Sequence, residues 1–212
     1  MIRLDCGDSF AAEWPASDLV IADPPWSYRE RHASTTPADH YSVTTIANIA
    51  AMLAGLRAPR MALWMTWPIL GEWMRATHDM GRSWRWRDCK TGGAWVKSRP
   101  GDAGHYGPGY HWAGCSEPVL IYSRGGGHNT RGKLRNAWIE ARTQHSAKPI
   151  DWQAAMIRRW VPPGGLVVDP FAGLGSVAIA TLRAGDGRRY HGCEADPDRH
   201  AEAMRRIEAE TK

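Results

Sequence analysis

The sequence lacks the features of disulfide-rich, zinc-binding and membrane-spanning proteins. Its four cysteines are scattered and form no C-x-x-C pair, and its nine histidines show no metal-ligand spacing. These absences argue against a disulfide framework and a metal site, and they fit a reducing cytoplasm. No apolar run approaches the roughly 20 residues that cross a bilayer. The first residues, Met1–Asp5, show no basic-then-apolar signal pattern.

Phenylalanine is also scarce, whereas tryptophan is unusually abundant. The chain has two phenylalanines and twelve tryptophans in 212 residues. Tryptophan offers a large flat surface, which serves both for packing a core and for stacking on nucleobases. Trp64, Trp73, Trp152 and Trp160 lie in apolar or helical patterns, so we expect them in the core. The formal net charge of +5 favours a polyanionic partner.

Short apolar runs alternate with helical patterns along nearly the whole chain. Predicted strands cover 3–6, 18–22, 61–66, 94–97, 117–122, 137–142, 166–169 and 190–194. Predicted helices cover 46–56, 69–80, 150–160, 176–184 and 197–210. This alternation predicts an α/β fold: one Rossmann-like domain over 1–212, with a mostly parallel central sheet and helices on both faces.

Asp23-Pro24-Pro25-Trp26 directly follows the apolar run 19–22, and so lies where a buried strand ends. Open α/β sheets bind their ligands at that edge. The carboxylate of Asp23 and the carbonyl of Pro24 can accept hydrogen bonds from an exocyclic amino group, and Pro25 restricts the backbone before it. Such an amino group is a poor nucleophile, because its lone pair is delocalised into the ring. The four residues are therefore predicted to be catalytic in amino methylation, with Trp26 stacking on the base.

A second motif, Asp169 to Gly175, stands between a predicted strand and a predicted helix. Gly173, Gly175 and Ala178 match the G-x-G-x-x-[GA] pattern, in which the backbone approaches a nucleotide at a helix N-terminus. Glu194 ends the next strand, where a carboxylate can bind ribose hydroxyls. Asp169 would repel a phosphate but suits an ammonium group. S-adenosylmethionine fits these residues best, and nicotinamide nucleotide binding and a plain structural turn are the alternatives.

Together these segments resemble the amino-methyltransferases of nucleic acids. In the permuted group of that family the catalytic loop precedes the cofactor loop. The Asp-Pro-Pro-Trp form resembles the branch that contains the eukaryotic RNA adenine-N6 methyltransferases and short bacterial or phage DNA adenine methyltransferases. The resemblance rests on residues 7–8, 23–26, 95–97, 116–118, 145–149, 169–175 and 194.

The resemblance implies a set of cofactor-binding positions. These are Asp8, Asp23, His145, Ser146, Lys148, Asp169, Phe171, Gly173, Gly175 and Glu194. The Asp169 loop would contact the methionine part of the cofactor, and Glu194 its ribose. Asp8 would lie near the cofactor adenine, and Lys148 at the cofactor carboxylate.

Residues 82–136 combine basic side chains with aromatic ones such as Trp84 and Trp86, a composition that suits phosphate contacts and stacking. The best individual candidates for nucleic-acid contact are Arg29, Arg31, His32, Lys97 and Arg99. The RNA enzymes of the family lack the glycine-rich cofactor loop, which favours DNA as the substrate.

The sequence therefore predicts an S-adenosylmethionine-dependent methyltransferase that acts on N6 of adenine in DNA. An RNA adenine-N6 or DNA cytosine-N4 methyltransferase would use the same residues. A non-catalytic nucleic-acid-binding homologue and a nicotinamide oxidoreductase are the hypotheses from other classes. A homodimer is compatible with the sequence.

Overall fold

A computed structural model of the chain describes residues 1–26, 44–98, 115–124, 135–141 and 148–212, with side chains undescribed at 87–91 and 141. The strands are β1 (Ile2–Cys6), β2 (Leu19–Ala22), β3 (Arg60–Trp64), β4 (Arg87–Ser98), β5 (Ser116–Ser123), β6 (Ala137–Ala141), β7 (Leu166–Asp169) and β8 (Arg189–Glu194). The helices are α1 (Ile46–Gly55), α2 (Trp67–Asp79), α3 (Ile150–Trp160), α4 (Ser176–Ala184) and α5 (Pro197–Glu210). Among the described residues, none of the helices is long and apolar enough to cross a membrane.

The strands form one sheet in the order β1-β8-β7-β2-β3-β5-β4-β6. Strand β5 runs antiparallel to both of its neighbours, β3 and β4, and every other pair in the sheet is parallel. The predicted α/β fold with a mostly parallel sheet is confirmed.

Alternate residues of the central strands face two separate cores. On β2, Leu19 and Ile21 pack in the core built by α3 and α4, whereas Val20 and Ala22 pack in the core built by α1 and α2. Side chains that alternate across a strand produce this division when both faces are covered. The uninterrupted apolar run of β2 is therefore explained by burial on both sides.

The helices that follow β2 and β7 lie on opposite faces of the sheet. α1 follows β2 and packs in one core, while α4 follows β7 and packs in the other. β2 and β7 are adjacent and parallel, so a crevice opens between their carboxyl ends. The two motifs identified in the sequence begin here, because Asp23 directly follows β2 and Asp169 is the last residue of β7.

Helix α3 is capped at its N-terminus by a neighbouring strand. Its N-cap residue, Pro149, supplies no side-chain hydrogen bond. The carboxylate of Glu140, on β6, instead accepts from the backbone N–H groups of Asp151 at 3.1 Å and Trp152 at 3.2 Å. This contact fixes the start of α3, and with it the position of Lys148.

Strand β4 is much longer than predicted. It begins at Arg87 rather than at residue 94 and includes the Gly92-Gly93 pair. The ring of Trp152 lies directly over Gly93, where a Cβ atom would come within 2.8 Å of Cζ2. Gly93 thus makes room for a core tryptophan instead of ending the strand.

The predicted core tryptophans Trp64, Trp73 and Trp152 are buried, and Trp160 packs partly buried against the same core. The expectation that Trp86 stacks on bases is wrong, because its side chain is 2% exposed. Its indole N–H donates to the carbonyl of Leu53 at 2.9 Å.

Candidate active site

Four carboxylates lie at one edge of the sheet. Asp169 ends β7, Glu194 ends β8, and Asp23 follows β2. Because β5 is antiparallel to β3, the beginning of β5 lies at this same edge and brings Glu117 to it. Negative charge is thus concentrated at the crevice, where three parallel strands end and the antiparallel strand β5 begins.

Asp23 belongs to a chain of ion pairs that two lysines complete. The ammonium of Lys148 lies 2.8 Å from Oδ2 of Asp23 and 2.8 Å from Oε2 of Glu117. Lys97 lies 2.6 Å from the other carboxylate oxygen of Glu117. The side chains of Lys97, Lys148 and Glu117 are at most 18% exposed, and that of Asp23 is 33% exposed. The cluster is therefore enclosed on the protein side and open to solvent at Asp23.

The pKa values in this cluster follow from burial and pairing. Burial raises the pKa of Asp23, and the nearby Lys148 offsets this only in part. Burial would also raise the pKa of Glu117, but its two lysine partners dominate and lower that pKa to about 2. Burial opposes the charge of Lys148, yet Asp23 and Glu117 together raise its pKa above the ordinary value. Lys148 and Glu117 are therefore charged at neutral pH.

Asp169 is almost completely buried, and both of its carboxylate oxygens accept hydrogen bonds. The hydroxyl of Tyr190 donates to Oδ2 at 3.0 Å, and the backbone N–H of Phe171 donates to Oδ1 at 3.2 Å. Burial nevertheless raises the pKa of Asp169 to about 7, against the opposing effect of these hydrogen bonds, and the charges of Asp23 and Glu194 add to the rise. A cation at this position would meet three carboxylates.

Glu194 holds the glycine loop in place. Its Oε2 accepts from the backbone N–H of Gly173 at 2.7 Å, and its Oε1 accepts from that of Asp196 at 2.9 Å. Gly173 and Gly175 both have positive φ, at 54° and 74°, which side chains rarely adopt. Gly175 also packs closely on α5, where a Cβ would lie 3.2 Å from that of Ala203.

The loop after β1 contacts the cofactor loop. The hydroxyl of Ser9 donates to the carbonyl of Pro170, and the rings of Phe10 and Phe171 lie 6.1 Å apart between centroids. Asp8 is exposed and accepts from the backbone N–H of Phe10 at 2.9 Å. The structure thus brings together the predicted positions Asp8, Phe171 and Gly173 with Asp169.

The expected stacking role of Trp26 is not compatible with its position. The indole is 4% exposed, its N–H donates to the carbonyl of Trp64 at 3.2 Å, and its ring packs edge-on against Trp73 at 5.6 Å. Trp26 therefore anchors the loop 23–26 in the core. Pro24 is buried as well, and Pro25 is half-buried.

Lys97 also differs from its prediction, because Glu117 binds its ammonium inside the cluster. Lys97 in this position is therefore not expected to contact a phosphate. The other predicted contacts, Arg29, Arg31, His32 and Arg99, lie outside the described residues, as do His145 and Ser146.

Sequence reasoning gave no role to Glu117 or Tyr190. Glu117 belongs to a segment on which the family resemblance rests. It is also a charged residue at the start of an apolar strand, which could have indicated a functional position. Tyr190 carries no such signal, because its hydroxyl reaches Asp169 only through the pairing of β7 and β8. Among the described residues, no group of three or more histidines, cysteines and acidic residues is placed to hold a metal ion.

The sequence is similar to known methylases. Residues 73–205 match the profile of the DNA methylase family (N6_N4_Mtase). A putative methylase of Escherichia coli K12, YubD, is 34% identical over 74 residues, a match that covers 34% of this chain and 32% of that protein.

Solved methyltransferases share the fold over nearly the whole chain. The putative DNA modification methylase TTHA0409 of Thermus thermophilus, complexed with S-adenosyl-L-methionine, has a TM-score of 0.69 at 21% identity and covers 99% of this chain and 94% of its own. M1.HpyAVI has a TM-score of 0.67 at 16% identity, over 98% of this chain and 99% of its own. The cytosine-N4-specific PvuII DNA methyltransferase has a TM-score of 0.65 at 14% identity, over 99% of this chain and 90% of its own. Since the family profile matches more than half of the sequence, the chain belongs to the DNA methylase family.

Proposed function

We propose that this protein transfers a methyl group from S-adenosylmethionine to the N6 amino group of adenine in DNA. The observation that carries the proposal is the placement of Asp23 and Asp169 on neighbouring strands of the crevice. One carboxylate is available to a target amino group, and the other lies in a site suited to a cation. Family membership supports methylation of DNA.

The residues around Asp169 fit the cofactor. Asp169, Asp23 and Glu194 interact electrostatically at one position, and such a set favours a ligand that carries positive charge. S-adenosylmethionine carries an ammonium group and supplies a methyl group activated by its sulfonium. Asp169 would hold the ammonium, Glu194 the ribose hydroxyls, and the loop through Gly173 would lie against the methionine part. Lys148 uses two of its three N–H donors on carboxylates in the described structure and so retains one for the ligand.

The acceptor side depends on the orientation of Asp23. Lys148 binds Oδ2 and thereby fixes the carboxylate, which leaves Oδ1 to accept a hydrogen bond from the target amino group. The Pro24 carbonyl is the proposed second acceptor. Two fixed acceptors favour a pyramidal nitrogen and direct its lone pair towards the methyl group, so positioning supplies most of the catalysis.

Cytosine N4 is the second candidate target, because the cytosine-specific PvuII enzyme shares this fold. Asp23 and Pro24 would accept equally from either amino group. The choice of adenine rests on the resemblance of the Asp-Pro-Pro-Trp motif to adenine methyltransferases. RNA adenine is a third substrate that the same residues would serve.

Nucleoside analysis of the product tests the proposal. DNA and RNA are incubated with the protein and methyl-labelled cofactor, digested, and the labelled nucleosides identified. N6-methyldeoxyadenosine is expected. N4-methyldeoxycytidine or N6-methyladenosine from RNA would replace the proposed substrate with another, and the absence of label in all three would refute methyl transfer.

A further inference from the structure

Trp67 is an exposed tryptophan at the edge of the sheet that carries the site. It is the first residue of α2 and its side chain is 55% exposed. Its indole N–H donates to the hydroxyl of Ser116 at 3.3 Å, next in sequence to Glu117. The polar atom of the ring is therefore satisfied and the ring is tied to β5, while much of its apolar surface faces solvent.

Packing of α2 does not require this side chain. The buried positions of the helix are Ile69, Trp73 and Thr77, on the face that contacts the sheet. A single exposed tryptophan needs no partner by itself, but this ring is held at the sheet edge that carries the site. In a protein that acts on nucleic acid, the partner of matching shape is the face of a base.

The sheet register sets how far Trp67 lies from Asp23. Ala22 of β2 pairs with Leu63 of β3, so Asp23 is level with Trp64. The backbone stays extended beyond that point, because the N–H of Met65 donates to the Pro118 carbonyl at 2.9 Å. Three residues at about 3.3 Å each place the Trp67 backbone roughly 10 Å beyond the level of Asp23. An offset of this size along the adjacent strand suits a nucleotide next to the base held at Asp23.

We propose that Trp67 stacks on a nucleobase that flanks the target base in the methylated strand. The inference rests on the proposed function and adds a substrate-binding residue to it. Stacking on tryptophan tolerates any base, so Trp67 contributes affinity and strand placement rather than sequence choice. This role differs from the one expected of Trp26, which was to stack on the target base itself.

The experiment places the fluorescent base 2-aminopurine at the target position or at each flanking position of a substrate oligonucleotide. Binding of the wild-type protein is expected to quench one flanking position through stacking. Trp67→Ala is expected to lose that quenching and to weaken DNA binding by roughly ten- to hundredfold. Trp67→Phe is expected to retain most of both, and cofactor affinity is expected to stay unchanged in each variant.

Met74→Ala is the matched control, since Met74 is also exposed on α2, at 46%, and its removal should leave DNA binding unchanged. Equal DNA affinity and equal flanking quenching in Trp67→Ala and wild type would overturn the inference, while methyl transfer by the wild type would still support the proposed function. A wild-type protein that transfers no methyl group to any nucleic acid would refute the proposed function itself.

Discussion

Asp169 has surroundings that differ strongly from those of an ordinary aspartate. It is 1% exposed, and its carboxylate lies near those of Asp23 and Glu194. Two hydrogen bonds do not compensate for burial, so its pKa is about 7 instead of the usual 3.8. In the protein without cofactor, the cost of ionising Asp169 is expected to appear as a pH-dependent stability.

Asp169→Asn tests this cost. Folded Asp169 retains a proton that the unfolded chain releases, so its contribution to stability falls as the pH rises from about 4 to about 7. The asparagine of the variant carries no such cost, and the Tyr190 hydroxyl can reorient to bond with its amide. We expect the melting temperature of the variant, relative to wild type, to rise by a few degrees between pH 5 and pH 8. Thermal unfolding without cofactor measures both melting temperatures, with the exposed Asp79→Asn as control. A melting-temperature difference between Asp169→Asn and wild type that does not change with pH would contradict the raised pKa of Asp169.

Lys148 offsets the negative charges of two carboxylates, so its removal should lower the stability of the fold. In Lys148→Met, Asp23 and Glu117 remain enclosed together, and their folded pKa values rise. The variant should lose about 2 kcal/mol at pH 8, less than for fully buried pairs because Asp23 is partly exposed. A carboxylate whose pKa is raised in the folded state destabilises the fold increasingly as the pH rises. The stability deficit of Lys148→Met should therefore be smaller at pH 5 than at pH 8.

Urea unfolding at the two pH values measures this deficit, with the charge-retaining Lys148→Arg as the matched control. A deficit in Lys148→Met of the same size at both pH values would contradict the pairing of Lys148 with the two carboxylates.

Sequence reasoning singled out Asp23 and Asp169 because each lies at the end of an apolar strand and opens a recognisable loop. It could not identify the partners of Lys148. Glu117 and Asp23 lie 31 and 125 positions away from it in the chain, and only the sheet order brings them together. Trp26 was misjudged for a related reason, since adjacency to a catalytic loop does not reveal which face of the sheet a side chain packs against.

At the scale of elements, helix α3 depends on a cap from another strand. Glu140 accepts from two N–H groups of the first turn of α3 and from the indole N–H of Trp138 at 2.8 Å. Glu140→Ala should destabilise the fold by about 1–2 kcal/mol, the range of lost helix caps, and Glu140→Gln by less. Chemical denaturation measures both, and the exposed Glu208→Ala serves as control. A loss in Glu140→Ala no larger than in this control would contradict the cap.

Helices were predicted closely because glycine and proline mark their ends. Helix α3 stops before Pro162-Pro163, and α4 stops at Gly185, which has φ of 71°. Glycine does not always mark a boundary, since Gly92 and Gly93 lie inside β4 and accommodate neighbouring atoms. A glycine that marks a turn and a glycine that makes room for Trp152 look alike in one sequence.

At the scale of the whole molecule, the sheet order joins two motifs that lie 146 residues apart in the chain. Strand alternation predicts a mostly parallel sheet, but nothing in the two segments alone states that β2 and β7 are neighbours. The family resemblance implied only that both motifs serve one site.

The net charge of +5 leads to a prediction about salt. If basic residues contact DNA phosphates, binding releases counterions, and affinity should fall roughly tenfold or more between about 50 and 200 mM KCl. Fluorescence anisotropy with a labelled oligonucleotide measures this dependence, and cofactor affinity in the same buffers provides the reference. DNA affinity as insensitive to salt as cofactor affinity would contradict phosphate contact.

Single-turnover methyl transfer by Asp23→Asn at saturating cofactor tests the central claim most directly, since it separates the acceptor side of the site from the cofactor side. The claim predicts a rate at least about a hundredfold below wild type, as is typical when a positioned hydrogen-bonding group is lost. The cofactor dissociation constant, measured by calorimetry, should rise much less than the rate falls, because Asp169 and Glu194 remain to bind the cofactor. A wild-type rate of transfer in this variant would contradict the assignment of Asp23 as the acceptor that positions the target amino group.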